Sequence, residues 1–211
     1  IVEAGNKIRI DNSLYFYVLW PTNTNMISDN AINNNSLVCK LIYKNFSMLF
    51  TGDIEEIAEK AILSKYVNKT ELLNADILKV AHHGSKTSSN DDFLNLINPR
   101  ISVVSCSAGN NQYTDYYKNT FPTQDYINRI AKYTDQVYAT SLYSEESEKP
   151  LNGNVVVSSN GDEVAVACTN NTTKLKDSEW FNSTVYVDQK NKIVTKDSEG
   201  AKAKPWRTWP N

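Results

Sequence analysis

Short apolar runs rich in β-favouring residues alternate with stretches whose apolar residues recur at helical spacing, and this alternation narrows the possible folds more than any other feature of the chain. Residues 36–43 (SLVCKLIY) and 46–50 (FSMLF) flank Lys44-Asn45, a two-residue connection suited to a tight hairpin because Asn tolerates positive φ. From Ile54 onward, Ile54, Ile57, Ala58, Ala61 and Ile62 form the stripe of an amphipathic helix, with Glu55 and Glu56 in its first turn. Residues 77–81 (ILKVA) read as a buried strand. Residues 90–97 read as a short helix led by Asp91 and Asp92 and closed by Pro99, and 101–105 as the next strand. After a polar loop over 107–120, Phe121-Pro122-Thr123 opens a helix with Tyr126, Ile127, Ile130 and Ala131 on one face, and a strand over 137–140 follows. Asn160-Gly161 between apolar runs marks a further hairpin. The order hairpin, helix, strand, helix, strand, helix, strand, hairpin packs helices on the outside of sheets, an α/β layering.

The flanks are less regular. The opening IVEAGNKIRI reads as a strand entered midway, a Gly5-Asn6 turn and a strand over 7–10, so an N-terminal portion of the domain is expected outside this chain. Leu14–Trp20 is a second strand stopped by Pro21, and the Asn-rich stretch 22–35 has no apolar period and reads as a loop. Beyond Asn170, residues 184–187 and 192–194 suggest a last hairpin and AKAKPWRTWPN an extended arm. The expected division is a domain over 1–168 and a C-terminal extension over 169–211.

Composition removes several classes. With 211 residues, 40% of them hydrophobic, the chain can bury a sizeable core. No apolar run approaches the roughly 20 residues that a membrane helix needs. A net charge of −2 provides no global basic field for nucleic acid, so any such contact must be local. Three widely spaced cysteines without a CxxC pair rule out a disulfide scaffold and a cysteine-rich zinc module.

Chemistry gathers at two places. Asp53, in Thr51-Gly52-Asp53, and the pair His82-His83 each lie just past the end of an expected strand, where sheet edges position loop side chains. Taken singly, each has an ordinary structural reading: a Thr-Gly-Asp turn with Asp as helix cap, and a histidine pair on a solvated loop. His82 and His83 are the only two histidines of the chain, so a His-rich metal centre cannot be built from it alone.

The strings YKNFSMLFTGDIEEIAEKAIL, ADILKVAHHGSKTSSNDDFL and NPRISVVS, followed by an N-x-Y loop, resemble the metallo-β-lactamase-fold hydrolase domain of ComEC-type competence proteins. The matching blocks run from about Asn33 to Arg129. The resemblance implies a four-layer αββα sandwich, here lacking its N-terminal portion, that binds two divalent metals, zinc or manganese, at one edge. It further implies action on phosphodiesters such as DNA during competence, and it leans towards an extracytoplasmic or secreted location. Asp53 matches the metal-bridging carboxylate and His82 the last histidine ligand. Adjacent side chains of extended backbone point apart, so His83 is expected beside the metals or on a substrate phosphate, and Asp53 and His83 are the expected catalytic pair. Ser85 and Lys86 are weaker phosphate-contact candidates, and Gly52 and Gly84 are expected to let backbone approach metal or substrate.

Two departures stand out. The HxHxDH motif and a further histidine of the family's N-terminal half are absent, so this chain alone is expected to hold metal partially or not at all, and to associate with the missing segment or another copy. Many relatives have His-Pro after the N-x-Y loop where this chain has Phe121-Pro122, which leaves Tyr113, Tyr116 or Tyr117 as replacements for that histidine. The rival reading is a non-catalytic binding or structural module with a degenerate metal site.

Overall fold

A computed structural model describes residues 2–24, 26–111, 113–142 and 151–210; Ile1 of the expected opening strand, Asn25 and Gln112 of the expected loops and Asn211 of the expected arm lie outside them. The first half runs β1 (Lys7–Arg9), β2 (Leu14–Trp20), α1 (Ala31–Asn34), β3 (Val38–Tyr43), β4 (Phe46–Phe50), α2 (Glu56–Lys65), β5 (Ile77–Lys79) and α3 (Asp91–Ile97). It continues through β6 (Ile101–Ala108), α4 (Gln124–Ile130), β7 (Val137–Leu142), β8 (Leu151–Asn152) and the hairpin β9 (Val155–Ser159) and β10 (Val164–Cys168). The last elements are α5 (Glu179–Asn182), β11 (Thr184–Val187), β12 (Ile193–Val194) and β13 (Lys202–Pro205).

Strands β1 to β8 form one sheet in chain order. The steps from β4 through β5 and β6 to β7 are parallel and the others antiparallel. Each parallel step is bridged by a helix, because parallel neighbours need a crossover connection. The mixed α/β architecture agrees with the alternation of the sequence. Register explains the two faces. Leu49 pairs with Leu78 and belongs to the cluster that holds Ala58, Ile62, Phe93, Leu94, Ile127 and Ile130 of the three helices. Its neighbours Met48 and Ile77 point the other way and pack, with Phe46 and Val103, under Val155, Val157 and Val164 of the β9–β10 hairpin. At about 1.5–3 kcal/mol for each large apolar side chain fully buried, the helix-side cluster dominates the stabilisation.

Several expectations are corrected. Residues 2 and 3 lie in no strand where a strand entered midway was expected, and the turn expected at Gly5-Asn6 falls on Ala4-Gly5, whose amides bond to the carbonyls of Pro21 and Val18. The Asn-rich loop contains the one-turn helix α1, held where Trp20 Nε1 donates to the Asn34 carbonyl at 2.7 Å. In the β3–β4 turn the positive φ falls on Lys44. The strand 77–81 stops at Lys79 and turns into a 3-10 segment, Ala81–Gly84. The arm, extended as expected over β13, is also docked: β13 pairs with β11, and Trp206 joins Leu175, Trp180 and Val185 in the same cluster as Leu49.

Candidate functional site

The C-terminal ends of β4, β5, β6 and β7 face one cavity of about 570 Å³, within the roughly 300–1,000 Å³ of small-molecule sites. Asp53 follows β4, His82 and His83 follow β5, Ser105 and Cys106 lie on β6, and Thr140 lies on β7; all six line it. Parallel strands separated by helices bring their following loops to a single edge. The structure therefore gathers Asp53, His82 and His83, which are up to thirty positions apart in sequence.

Two backbone turns fix them. Gly52 has φ 54°, and a Cβ there would lie 2.5 Å from Ser36 Cβ, so only glycine fits the bend. The Gly52 carbonyl accepts the His82 amide at 3.1 Å and the Lys79 ammonium at 3.1 Å, tying the Asp53 turn to the histidine turn. The Asp53 amide donates to Ser36 Oγ at 3.1 Å. Asp53 does not cap α2; Glu55 holds the N-cap position. Gly84, with φ 80°, backs onto Pro122, whose Cβ lies 2.8 Å from the place an added Cβ would take. The two glycines thus admit Ser36 and Pro122 rather than metal or substrate.

The premise that the histidines sit on extended backbone is overturned. His82 (φ 47°, ψ 46°) and His83 (φ 56°, ψ 21°) are both left-handed, and both rings enter the cavity with centroids 6.2 Å apart. His83 is the one that faces Asp53, with Nε2 3.7 Å from Oδ1. Its Nδ1 lies 2.5 Å from the Ser105 carbonyl, which can only accept, so Nδ1 carries the proton. A neutral His83 therefore turns the lone pair of Nε2 towards the Asp53 carboxylate, an arrangement that a shared proton or a cation satisfies. His82 instead has Nδ1 3.3 Å from Glu55 Oε1, and this buried nitrogen has no hydrogen-bond partner among the described residues.

The remaining candidates separate. Ser85 turns inward to Thr87 Oγ1 at 3.0 Å, and the Lys86 ammonium donates to Asn119 Oδ1 at 3.2 Å; neither lines the cavity. Of the three tyrosines, Tyr113 lines it, whereas the Tyr117 hydroxyl donates to the Pro205 carbonyl at 2.5 Å and Tyr116 lies against Lys192. Burial pushes the Cys106 thiol up to about 12, which holds the metal-free side chain as the thiol. Glu55, Ser105 and Phe121 were not singled out as functional positions by the sequence; Phe121, whose ring lies 6.0 Å from that of His82 and 5.9 Å from that of His83, is signalled only by its departure from His-Pro.

Asp53 and His83 bring together a carboxylate and an imidazole, donor types that zinc accepts. Among the described residues no three His, Cys, Asp or Glu side chains converge so that they could hold an ion.

No family model matches the chain. It is similar to ComE operon protein 3 of Bacillus subtilis, 31% identical over 135 residues, which covers 64% of this chain and 16% of that protein. It is likewise 31% identical over 127 residues to competence protein ComA of Neisseria gonorrhoeae, covering 60% of this chain and 16% of the relative. Recombination protein 2 of Haemophilus influenzae is 30% identical over 129 residues, covering 61% and 14%. The chain thus spans 14–16% of the length of these three relatives.

Proposed function

We propose that this chain is part of a metallo-β-lactamase-type αββα hydrolase domain that cleaves phosphodiesters, DNA foremost, in a longer competence-type protein. The observation that carries the reading is the convergence of Asp53, His82 and His83 on one cavity at the ends of parallel strands, in a segment similar to competence proteins. Cleaving a phosphodiester needs an activated water and relief of the charge that develops on the phosphoryl oxygens. On this chain, Asp53 supplies a carboxylate half open to solvent. His83, oriented by the Ser105 carbonyl, accepts or passes a proton at Nε2. Zinc or manganese belongs to the complete domain, with further ligands from upstream polypeptide, and this chain associates with that segment or with a second copy to complete the site.

The test uses the longer protein with its upstream segment, assayed on single-stranded DNA and on a small phosphodiester with Mn²⁺ or Zn²⁺, beside Asp53→Ala. Metal-dependent turnover lost in the variant is expected. Turnover of neither substrate moves the assignment to a binding or structural module with a degenerate metal site, and equal turnover by the variant removes Asp53 from the reaction.

A further inference from the structure

Residues 202–209, read from sequence as an extended arm, hold one wall of the cavity. Arg207 is 2% exposed, and its guanidinium is spent mostly on backbone carbonyls. Nε donates to the Pro122 carbonyl at 2.8 Å, Nη1 to its neighbour Trp206 at 2.6 Å, and Nη2 to Thr120 Oγ1 at 2.7 Å, to the Thr120 carbonyl and to the Tyr117 carbonyl at 3.2 Å. Three of these residues bracket Phe121. The same segment is clamped from the opposite side, where the Thr123 hydroxyl and amide both donate to the Gly84 carbonyl at 2.9 Å and Pro122 fills the space left by the missing Cβ of Gly84. Phe121 is thereby set between the tail and the histidine turn, with its ring against both imidazoles.

A buried guanidinium is expensive to desolvate unless its donors are all used, and a fork that spans several carbonyls fixes their relative positions as a single point charge cannot. The tail is secured next to it: the Thr208 amide donates to Gln124 Oε1 at 2.8 Å and Gln124 Nε2 donates to the Thr208 carbonyl at 2.6 Å. From this chain of contacts we infer that Arg207 is a positioning residue of the site, acting through residues 117–122 to press Phe121 on His82 and His83 and so set the orientation of both rings. The C-terminal segment is then a working part of the cavity. The inference rests on the reading that the two histidines are the functional groups, but its test does not need activity.

Because the chain has only two histidines, their ring carbons and protons give two resolvable sets of signals in a ¹³C-histidine-labelled sample of the full chain. Phe121→Leu removes the aromatic ring current and identifies the shift that loss of the contact produces in each histidine. Arg207→Lys keeps the charge without the fork, and Gln124→Ala frees the residue after Arg207 while leaving the cavity lining intact. Both are expected to move the two histidine signals towards their Phe121→Leu positions, Gln124→Ala less, with the indole signals of Trp20 unchanged. Should Arg207→Lys fail to fold, Gln124→Ala decides alone. Histidine signals at wild-type positions in a folded Arg207→Lys, or in Gln124→Ala when the lysine variant does not fold, overturn the inference. Hydrolysis assays on the longer protein report separately, since an inactive protein whose histidine signals shift as expected contradicts the proposed reaction and not the role of Arg207.

Discussion

Arg129, near the end of α4, offers the sharpest test of how the histidine turn is supported. Its Nε donates to the Ser89 carbonyl at 2.9 Å, and Nη2 to the carbonyls of Ser88 at 2.8 Å, Lys86 at 3.2 Å and Ser85 at 3.4 Å. Glu59 of α2 meets the same loop from its amide side, accepting from Asn90 at 2.9 Å and from Ser89. The loop after Gly84 is therefore held by a cation on its carbonyls and a carboxylate on its amides. Arg129→Met keeps most of the apolar stem and removes every donor. The two short bonds carry the effect; at about 1.5 kcal/mol net for each hydrogen bond to a charged group, their loss costs about 3 kcal/mol. In urea, with an m value of about 2 kcal/mol/M, the unfolding midpoint falls by about 1.5 M. Arg129→Lys reaches fewer carbonyls and recovers about half of the loss. Amide exchange over residues 85–90 accelerates in Arg129→Met beyond the change in global stability. A stability within about 0.5 kcal/mol of wild type, the range of an ordinary surface substitution, refutes the argument and means that water satisfies the carbonyls equally well.

The alternation of strands and helices was legible because it rests on local periodicity. The β3–β4 and β9–β10 hairpins, the three crossover helices and the strands between them follow from spacing and turn residues alone. Helix α1 was not, because it forms in an Asn-rich stretch without apolar period and depends on the distant Trp20 indole. In the site, Asp53 and the histidines were visible as chemical types at strand ends. The shape of the histidine turn was not, because non-glycine residues rarely adopt positive φ, and two in succession turn both imidazoles into the cavity. Ser105 and Glu55 contribute through tertiary placement, one by a backbone carbonyl that any residue has. The tail was read only as an extended arm, although two tryptophans flank its arginine. What Arg207 binds is mostly backbone, and sequence does not encode those partners.

Two further outcomes test the packing around this turn. Gly84→Ala combines left-handed strain of about 1–2 kcal/mol with overpacking on Pro122 of about 1–3 kcal/mol, for a loss of roughly 3 kcal/mol and a fall in Tm of roughly 6–12 °C. Gly200→Ala, at φ 73° with nothing nearer than 3.9 Å, keeps the strain and lacks the clash, so equal falls in Tm would mean that Pro122 yields freely. The last outcome concerns Glu59, whose burial pushes its carboxyl above the ordinary 4.5 against the opposing pull of the Asn90 and Ser89 donors and the Arg129 charge. A group whose folded pKa exceeds its unfolded one contributes stability that is complete below the unfolded value and is lost as pH rises through the folded value. The stability of the wild type relative to Glu59→Gln, measured by urea unfolding from pH 4 to pH 8, must then decline with rising pH, since glutamine has no proton to lose and the other carboxylates cancel in the difference. A relative stability that grows with pH would mean that the loop amides and Arg129 outweigh desolvation, and that the carboxylate holds the histidine turn as a true anion.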